Sequence, residues 1–166
     1  MTFIQHYDSP LGDILLAADE VGLTGLWFEG QRHYAATLPE DVQTQETPAL
    51  MEGRRWLDIY FAENEPDFTP PLHPIGTPFR MAVWKILLEI PYGATTTYGA
   101  IAKRLAKERG LPQMSAQAIG SAVGRNPISL IIPCHRVIGR NGRLTGYAGG
   151  LHRKASLLAL EKKHGD

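Results

Sequence analysis

The reactive chemistry available to this chain gathers around its one thiol. Cys134 is the only cysteine among 166 residues. It stands in the run Asn126-Pro127-Ile128-Ser129-Leu130-Ile131-Ile132-Pro133-Cys134-His135-Arg136-Val137. A lone cysteine is often an inert small hydrophobe. Here Pro133 fixes the backbone just before the thiol, and His135 and Arg136 follow it, neighbours that favour the nucleophilic thiolate. Residues 128–132 read as an apolar strand that Pro133 terminates. Adjacent side chains on an extended strand point to opposite faces, so Cys134 and His135 cooperate either through a turn of the chain or through a bridging water. Further on, Gly146-Tyr147-Ala148-Gly149-Gly150 lacks the spacing of a phosphate loop and reads as a pocket wall or lid, with Tyr147 able to stack on a flat ligand. Glu161 falls four and three residues after Leu157 and Leu158, on the apolar face of a helix predicted over 152–163. A carboxylate on that face needs a partner, which the His135 imidazole would supply; the alternative is a terminal glutamate in solvent.

The elements that must position these groups are legible upstream. Phe3–Tyr7, Ile14–Ala18 and Leu23–Phe28 read as strands separated by turn residues. Thr47-Pro48 starts a helix carrying Leu50, Trp56, Leu57, Tyr60 and Phe61. Six proline or glycine residues from Pro66 to Pro78 inclusive then mark a linker, which divides the chain into 1–76 and 77–166. Phe79–Ile90 predicts an amphipathic helix with Phe79, Val83, Ile86, Leu87 and Ile90 on one face. Thr97 caps a short helix with Tyr98, Ile101, Ala102 and Leu105 inward and Lys103, Arg104 and Lys107 outward. Past Gly110-Leu111-Pro112, Ser115 caps a second helix running from Ala116 to about Gly124. The pair reads as a helix-turn-helix or as generic helical packing. The second helix is built almost entirely of small residues, including Ser115, Ala116, Gly120 and Gly124, which suits either a buried helix contact or a narrow nucleic-acid groove. Arg140-Asn141-Gly142-Arg143 holds the Asn-Gly of a tight hairpin turn.

Composition sets the outer limits. With 43% hydrophobic and 20% charged residues the chain can bury a core. No window approaches the ~18 apolar residues of a spanning helix, and Met1–His6 lacks the basic start and apolar run of a secretion signal. One cysteine excludes an internal disulfide and a multi-cysteine metal site, and a reducing cytoplasm is the expected home. The formal net charge of +0 conceals a division: residues 1–76 hold thirteen acids against three bases, a net of −10, and residues 77–166 hold fourteen bases against four acids, a net of +10. The second half suits a polyanion, unless the halves simply attract each other. Overall neutrality argues against strong nonspecific DNA binding.

Pro133-Cys134-His135-Arg136-Val137, with Asn126-Pro127 upstream and Gly146-Tyr147-Ala148-Gly149-Gly150 downstream, resembles the O6-alkylguanine-DNA alkyltransferases, closest to the bacterial Ogt type of methylated-DNA–protein-cysteine methyltransferase. The resemblance is strong over 77–163 and looser before. It implies an α+β chain: a ribonuclease-H-like β-sheet and helix domain, then a mainly helical domain with a winged-helix-like helix-turn-helix. That domain would enter the minor groove of double-stranded DNA as a monomer and flip the damaged guanine out, because O6 of a stacked guanine is out of reach of a protein thiol. Cys134 matches the alkyl acceptor, His135 the water-mediated general base, Glu161 the residue orienting it, Asn126 the brace of the active-site turn, and Tyr98 the tyrosine that presses on the target phosphate. Val137, Tyr147, Ala148 and Gly149 match the guanine pocket. Thr97, Ser115, Ala116, Gln117, Gly120 and Arg125 fall on the DNA-facing segments. Two positions depart from the pattern: Gln117 stands where many members carry an arginine finger, and Ala148 where some carry serine. Zinc ligands known from some relatives have no cysteine here to match, so the resemblance implies no metal, and no cofactor is expected.

The implied reaction is a single-turnover transfer of an alkyl group from O6-alkylguanine, with O4-alkylthymine as a further candidate substrate, to Cys134. The competing readings are a noncatalytic alkyltransferase-like lesion binder, which would lack the acceptor cysteine, a helix-turn-helix regulator, whose recognition helix would carry long polar side chains, and a cysteine hydrolase, which would turn over. Gln117 supplies a prediction. If it plugs the stack vacated by a flipped base, Gln117→Ala weakens repair of duplex DNA and spares single-stranded DNA, where no hole needs filling. Gln117→Arg raises duplex affinity and steepens its salt dependence by about one phosphate's worth. Equal losses on both substrates for Gln117→Ala would rule out a base-replacing role.

Overall fold

A computed structural model of the chain describes residues 1–162. It divides into two compact units, one comprising Met1–Ile75 with Pro127–Ile131, the other Gly76–Asn126 with the chain from Ile132 onward.

In the first unit β1 (Thr2–Ser9), β2 (Gly12–Ala18), β3 (Leu23–Phe28) and β4 (Val42–Thr44) form a sheet in the order β3-β2-β1-β4. The β1–β2 and β2–β3 pairs are antiparallel, and β4, a strand too short and polar to announce itself in the sequence, runs parallel to β1. Alternation along the strands gives the sheet two apolar faces. One carries Leu16 and, beyond a bulge in the β2–β3 register, Leu23; it receives α1 (Pro48–Phe61) where Gly53 lets the helix come close to both leucines. The other carries Leu15, Ala17 and Trp27, with Ile4, Ala35 and Leu38 packed against them. Thr47 caps α1 by accepting the Leu50 N–H, and Pro48 occupies the first turn, where its missing donor is harmless.

Strand β3 lies at the edge of the sheet, yet all six of its residues are buried. Two short segments cover its free side. Leu23 bridges to Leu72 in the proline-rich linker, with Leu23 N–H donating to the Pro71 carbonyl and His73 N–H donating to the Leu23 carbonyl. Leu26 bridges to Ile128, donating to the Pro127 carbonyl at 2.8 Å and accepting from Ser129 N–H at 3.1 Å. The strand anticipated over 128–132 therefore shrinks to one bridging residue. The chain turns at once: Leu130 takes φ +73°, and Ile131 N–H donates across it to the Ser129 carbonyl. Apolar composition was no guide there, because these residues are buried around a turn rather than along a ladder.

The second unit contains α2 (Pro78–Leu87), β5 (Thr96–Thr97), α3 (Tyr98–Glu108), α4 (Ala116–Gly124), β6 (Val137–Ile138) and α5 (Leu151–Lys162). Helix α2 ends three residues short of Ile90, which stays buried in the following turn. Helices α3 and α4 pack together as a helix-turn-helix, with α2 against both. Thr97 caps α3 and Ser115 caps α4, the latter accepting from both Gln117 and Ala118 N–H. Gly110, at φ +65°, ends α3 with paired bonds from Gly110 and Leu111 N–H back to the Lys107 and Ala106 carbonyls. Trp84 Nε1–H donates to the Ala122 carbonyl at 2.8 Å, pinning α2 to α4. Thr96 and Thr97 pair with Val137 and Ile138 as two short parallel strands. Asn141 and Gly142 both take positive φ, giving the anticipated tight turn without flanking hairpin strands. Among the described residues no helix is long and apolar enough to cross a membrane.

Gly22 offers a test of the linker's seat on β3. A Cβ there would lie 2.6 Å from the backbone carbon and oxygen of Pro71. Gly22→Ala is expected to lower stability by ~1–3 kcal/mol, with the melting temperature falling roughly 2–4 °C for each kcal/mol. Gly124→Ala, in a helix with no neighbour within 4 Å, should leave the melting temperature unchanged or higher.

Candidate active site

Cys134, His135 and Arg136 form a single 3-10 turn. Pro133 leads into it at φ −81°, ψ 67°, and Cys134 N–H donates across the proline to the Ile132 carbonyl at 2.8 Å, an inverse γ-turn. The Asn126 side-chain amide donates to the same carbonyl, also at 2.8 Å. Two donors thus grip the peptide ahead of the thiol. Proline suits that conformation because its ring already holds φ near the required value. The backbone therefore turns where an extended strand would have sent Cys134 and His135 to opposite faces.

All three side chains are buried, Cys134 at 3% exposure and His135 at 0%. Behind them stands Glu161 of α5, 1% exposed. His135 Nε2 lies 2.5 Å from Glu161 Oε2, while Arg136 Nε donates to Oε1 at 2.8 Å and Gly93 N–H donates to the same oxygen at 3.1 Å. Arg136 also donates to the Ile90 carbonyl at 2.8 Å and lies over the Tyr92 ring. These hydrogen bonds to Glu161 and the Ile90 carbonyl fix the guanidinium on the Glu161 side of the turn. Burial alone would raise the Glu161 pKa, but the imidazole of His135 and then the guanidinium of Arg136 outweigh it and hold the carboxylate well below its usual range, at about 2. Burial pushes the His135 pKa down against the pull of Glu161, favouring the neutral ring. A neutral imidazole donating Nε2–H to Glu161 keeps Nδ1 as its basic nitrogen.

Tyr98, the first residue of α3, is half-buried; its hydroxyl donates to the Thr145 carbonyl at 3.4 Å, and burial raises its pKa. Cys134 is close enough to Tyr98 to interact with it electrostatically. Gly120 of α4 lies against the Tyr98 ring, since a Cβ there would stand 3.7 Å from it. One small residue of α4 thus serves an internal contact. Ser115, Ala116 and Gln117 are exposed at the start of α4, and Arg125 is exposed at its opposite end. A groove of about 1130 Å³ lies along α3 and the turn into α4, lined by Thr97, Tyr98, Lys103, Lys107, Ala116 and Arg140 among others. Val137 is buried in β6. Tyr147 and Ala148 are half-buried in the loop before α5, with the Tyr147 ring folded against buried Gly149. Among the described residues no cluster of three His, Cys, Asp or Glu side chains is placed to hold a metal ion.

Sequence reasoning passed over Lys154. It is fully buried on α5, three residues before Leu157 and seven before Glu161. The helical stripe that singled out Glu161, carried one turn back, reaches it.

Comparison with known proteins agrees with this architecture. Residues 3–74 match the family model of the 6-O-methylguanine DNA methyltransferase ribonuclease-like domain, and residues 78–163 that of the 6-O-methylguanine DNA methyltransferase DNA binding domain. The chain is 47% identical over 155 residues to a methylated-DNA–protein-cysteine methyltransferase of Methanosarcina acetivorans, covering 93% of this chain and 95% of that one. It is 43% identical over 165 residues to the Mycobacterium leprae protein of the same name, covering 98% and 93%. The crystal structure of Mycobacterium tuberculosis OGT in complex with DNA superposes with a TM-score of 0.82 at 42% identity, covering 97% of this chain and 93% of that one. The chain belongs to the 6-O-methylguanine DNA methyltransferase family.

The buried carboxylate makes a pH prediction. A group whose folded pKa is depressed contributes stability that is present above its unfolded value, 4.5 for Glu161, and is lost as pH falls through the folded value of about 2. Glu161→Gln should be less stable than the parent near neutrality by ~3–5 kcal/mol, since it leaves the buried Arg136 without its counter-charge. In urea titrations that gap should close between pH 4.5 and 2. A gap independent of pH would show that Glu161 is not the anion.

Proposed function

We propose that this chain repairs O6-alkylguanine in double-stranded DNA by direct reversal, transferring the alkyl group to Cys134 in a single-turnover reaction. The observation that carries this reading is the chain's one thiol, buried on a braced turn beside an imidazole that is itself held by a buried carboxylate. Family membership and the likeness to a relative solved with DNA support it.

In this reading the neutral His135 takes the Cys134 proton through a water, and Glu161, kept anionic by Arg136, stabilises the resulting imidazolium. The sulfur attacks the alkyl carbon in line. The S–C bond forms as the C–O6 bond breaks, the bonding pair passes to O6, and a proton delivered with help from the Tyr98 hydroxyl goes to the departing guanine. A thioether remains. It is a poor leaving group, and with no second thiol in the chain to attack it, each molecule repairs one lesion. Asn126 serves by holding the turn that presents the sulfur. Val137, Tyr147, Ala148 and Gly149 line the pocket for the extruded base. Thr97, Ser115, Ala116, Gln117, Gly120 and Arg125 belong to the surface that enters the minor groove, where short side chains let the helix backbone approach the DNA closely. The protein acts as a monomer in the cytoplasm, with residues 77–166 supplying the DNA-binding and transfer machinery and residues 1–76 a supporting domain.

Intact mass tests the reading. After incubation with duplex DNA carrying O6-methylguanine, the protein should gain one methyl group in place of a hydrogen, on the peptide containing Cys134. Cys134→Ala should gain nothing and still bind the alkylated duplex, because the groove contacts lie elsewhere. Methyl transfer by the alanine variant, or repeated turnover by the parent, would overturn it.

A further inference from the structure

Lys154 has no place in the chemistry described so far, yet it is fully buried. An ammonium leaves water only where its protons find acceptors. Here all three do: Nζ donates to the carbonyl oxygens of Val137 at 2.5 Å, Thr145 at 2.8 Å and Gly146 at 3.1 Å. Val137 follows the cysteine turn directly, and Thr145 and Gly146 close the loop that begins there, so one ammonium ties both limbs of the 137–146 segment. The Thr145 carbonyl is shared, since it also accepts the Tyr98 hydroxyl, and Nζ lies 5.9 Å from the centre of the Tyr98 ring.

The surrounding charges single out the same residue. Arg136 is matched by Glu161, and burial favours neutral His135. Lys154 makes no ion pair with a carboxylate among the described residues; its partners are carbonyl oxygens. It interacts electrostatically with His135 and with Cys134.

We propose that Lys154 is a positioning residue for the transfer reaction: its ammonium sets the 137–146 loop and the Tyr98 hydroxyl around Cys134, and supplies a positive charge, paired with no carboxylate among the described residues, that favours the thiolate. Burial pushes the Lys154 pKa down to about 8, and the sulfur's negative charge opposes that shift. By reciprocity the ammonium favours the ionised sulfur. The loop's purpose rests on the alkyl-transfer reading; the effect on the sulfur does not.

Because Cys134 is the only thiol, the ultraviolet absorbance of the thiolate titrates it alone at pH values below tyrosine ionisation. Lys154→Met keeps the chain length and removes the charge. It should raise the thiol midpoint by about one unit and slow methyl transfer from an O6-methylguanine duplex about tenfold. Lys154→Arg keeps the charge and should hold the midpoint near that of the parent. An unchanged midpoint in Lys154→Met overturns the electrostatic role, and an unchanged transfer rate overturns the positioning role. Should Lys154→Met fail to fold, the parent protein decides. Methylating Cys134 removes the ionisable sulfur, so the Nζ midpoint of Lys154, followed by nitrogen NMR, should fall; a constant midpoint overturns the proposal. A parent protein that takes no methyl group from DNA overturns the functional reading instead, and the thiol titration then judges Lys154 on its own.

Discussion

The carboxylate of Glu161 takes hydrogen bonds from three separate parts of the second unit: the imidazole of His135, the guanidinium of Arg136 and the backbone of Gly93. A buried carboxylate with fewer partners would be protonated or displaced. With these it stays charged, and so fixes which nitrogen of His135 carries its proton, where Arg136 must lie and how α5 sits against the cysteine turn. The Arg136 bond to the Ile90 carbonyl carries the constraint on to the chain that leaves α2. Removing one donor leaves the others around an ion that is no longer fully satisfied, so this cluster stands or falls together.

A second constraint sits on the other side of the thiol. The Ile132 carbonyl accepts from both Asn126 and the Cys134 backbone, and two residues earlier Leu130 is held at positive φ with its side chain fully buried. A branched residue rarely adopts that conformation, and its persistence implies that surrounding packing over-determines it. The thiol is thus placed by backbone geometry on one side and by a charged cluster on the other. Neither relies on cysteine itself for rigidity.

Much of this was legible in residue types. The caps at Thr47, Thr97 and Ser115, the linker prolines and the apolar stripes of the helices mark their elements because each reflects a local rule of backbone chemistry. Glu161 was legible because a carboxylate on an apolar stripe needs a partner, and the nearest reactive segment held one. The turn over 128–132 was not, since an apolar run looks alike in a strand and in a buried loop, and the positive φ of Leu130 comes from tertiary packing. Lys154 went unnoticed because lysine is ordinarily a surface residue, and its acceptors are carbonyl oxygens, which leave no mark in side-chain patterns. The bond between Arg136 and Glu161 joins residues twenty-five places apart, a contact that adjacency in sequence does not mark.

The covering of β3 bears on solubility as well as on shape. An edge strand of six buried residues is a template for pairing with any other extended chain, and proteins ordinarily blunt such edges with charges or bulges. Here the blunting is done by two borrowed pieces of backbone, at Leu72 and Ile128, neither long enough to be a strand itself. Residues at those two sites answer to aggregation. Changes there that leave every catalytic contact intact still open a sticky edge, and their first symptom is protein lost from solution rather than chemistry lost from the thiol.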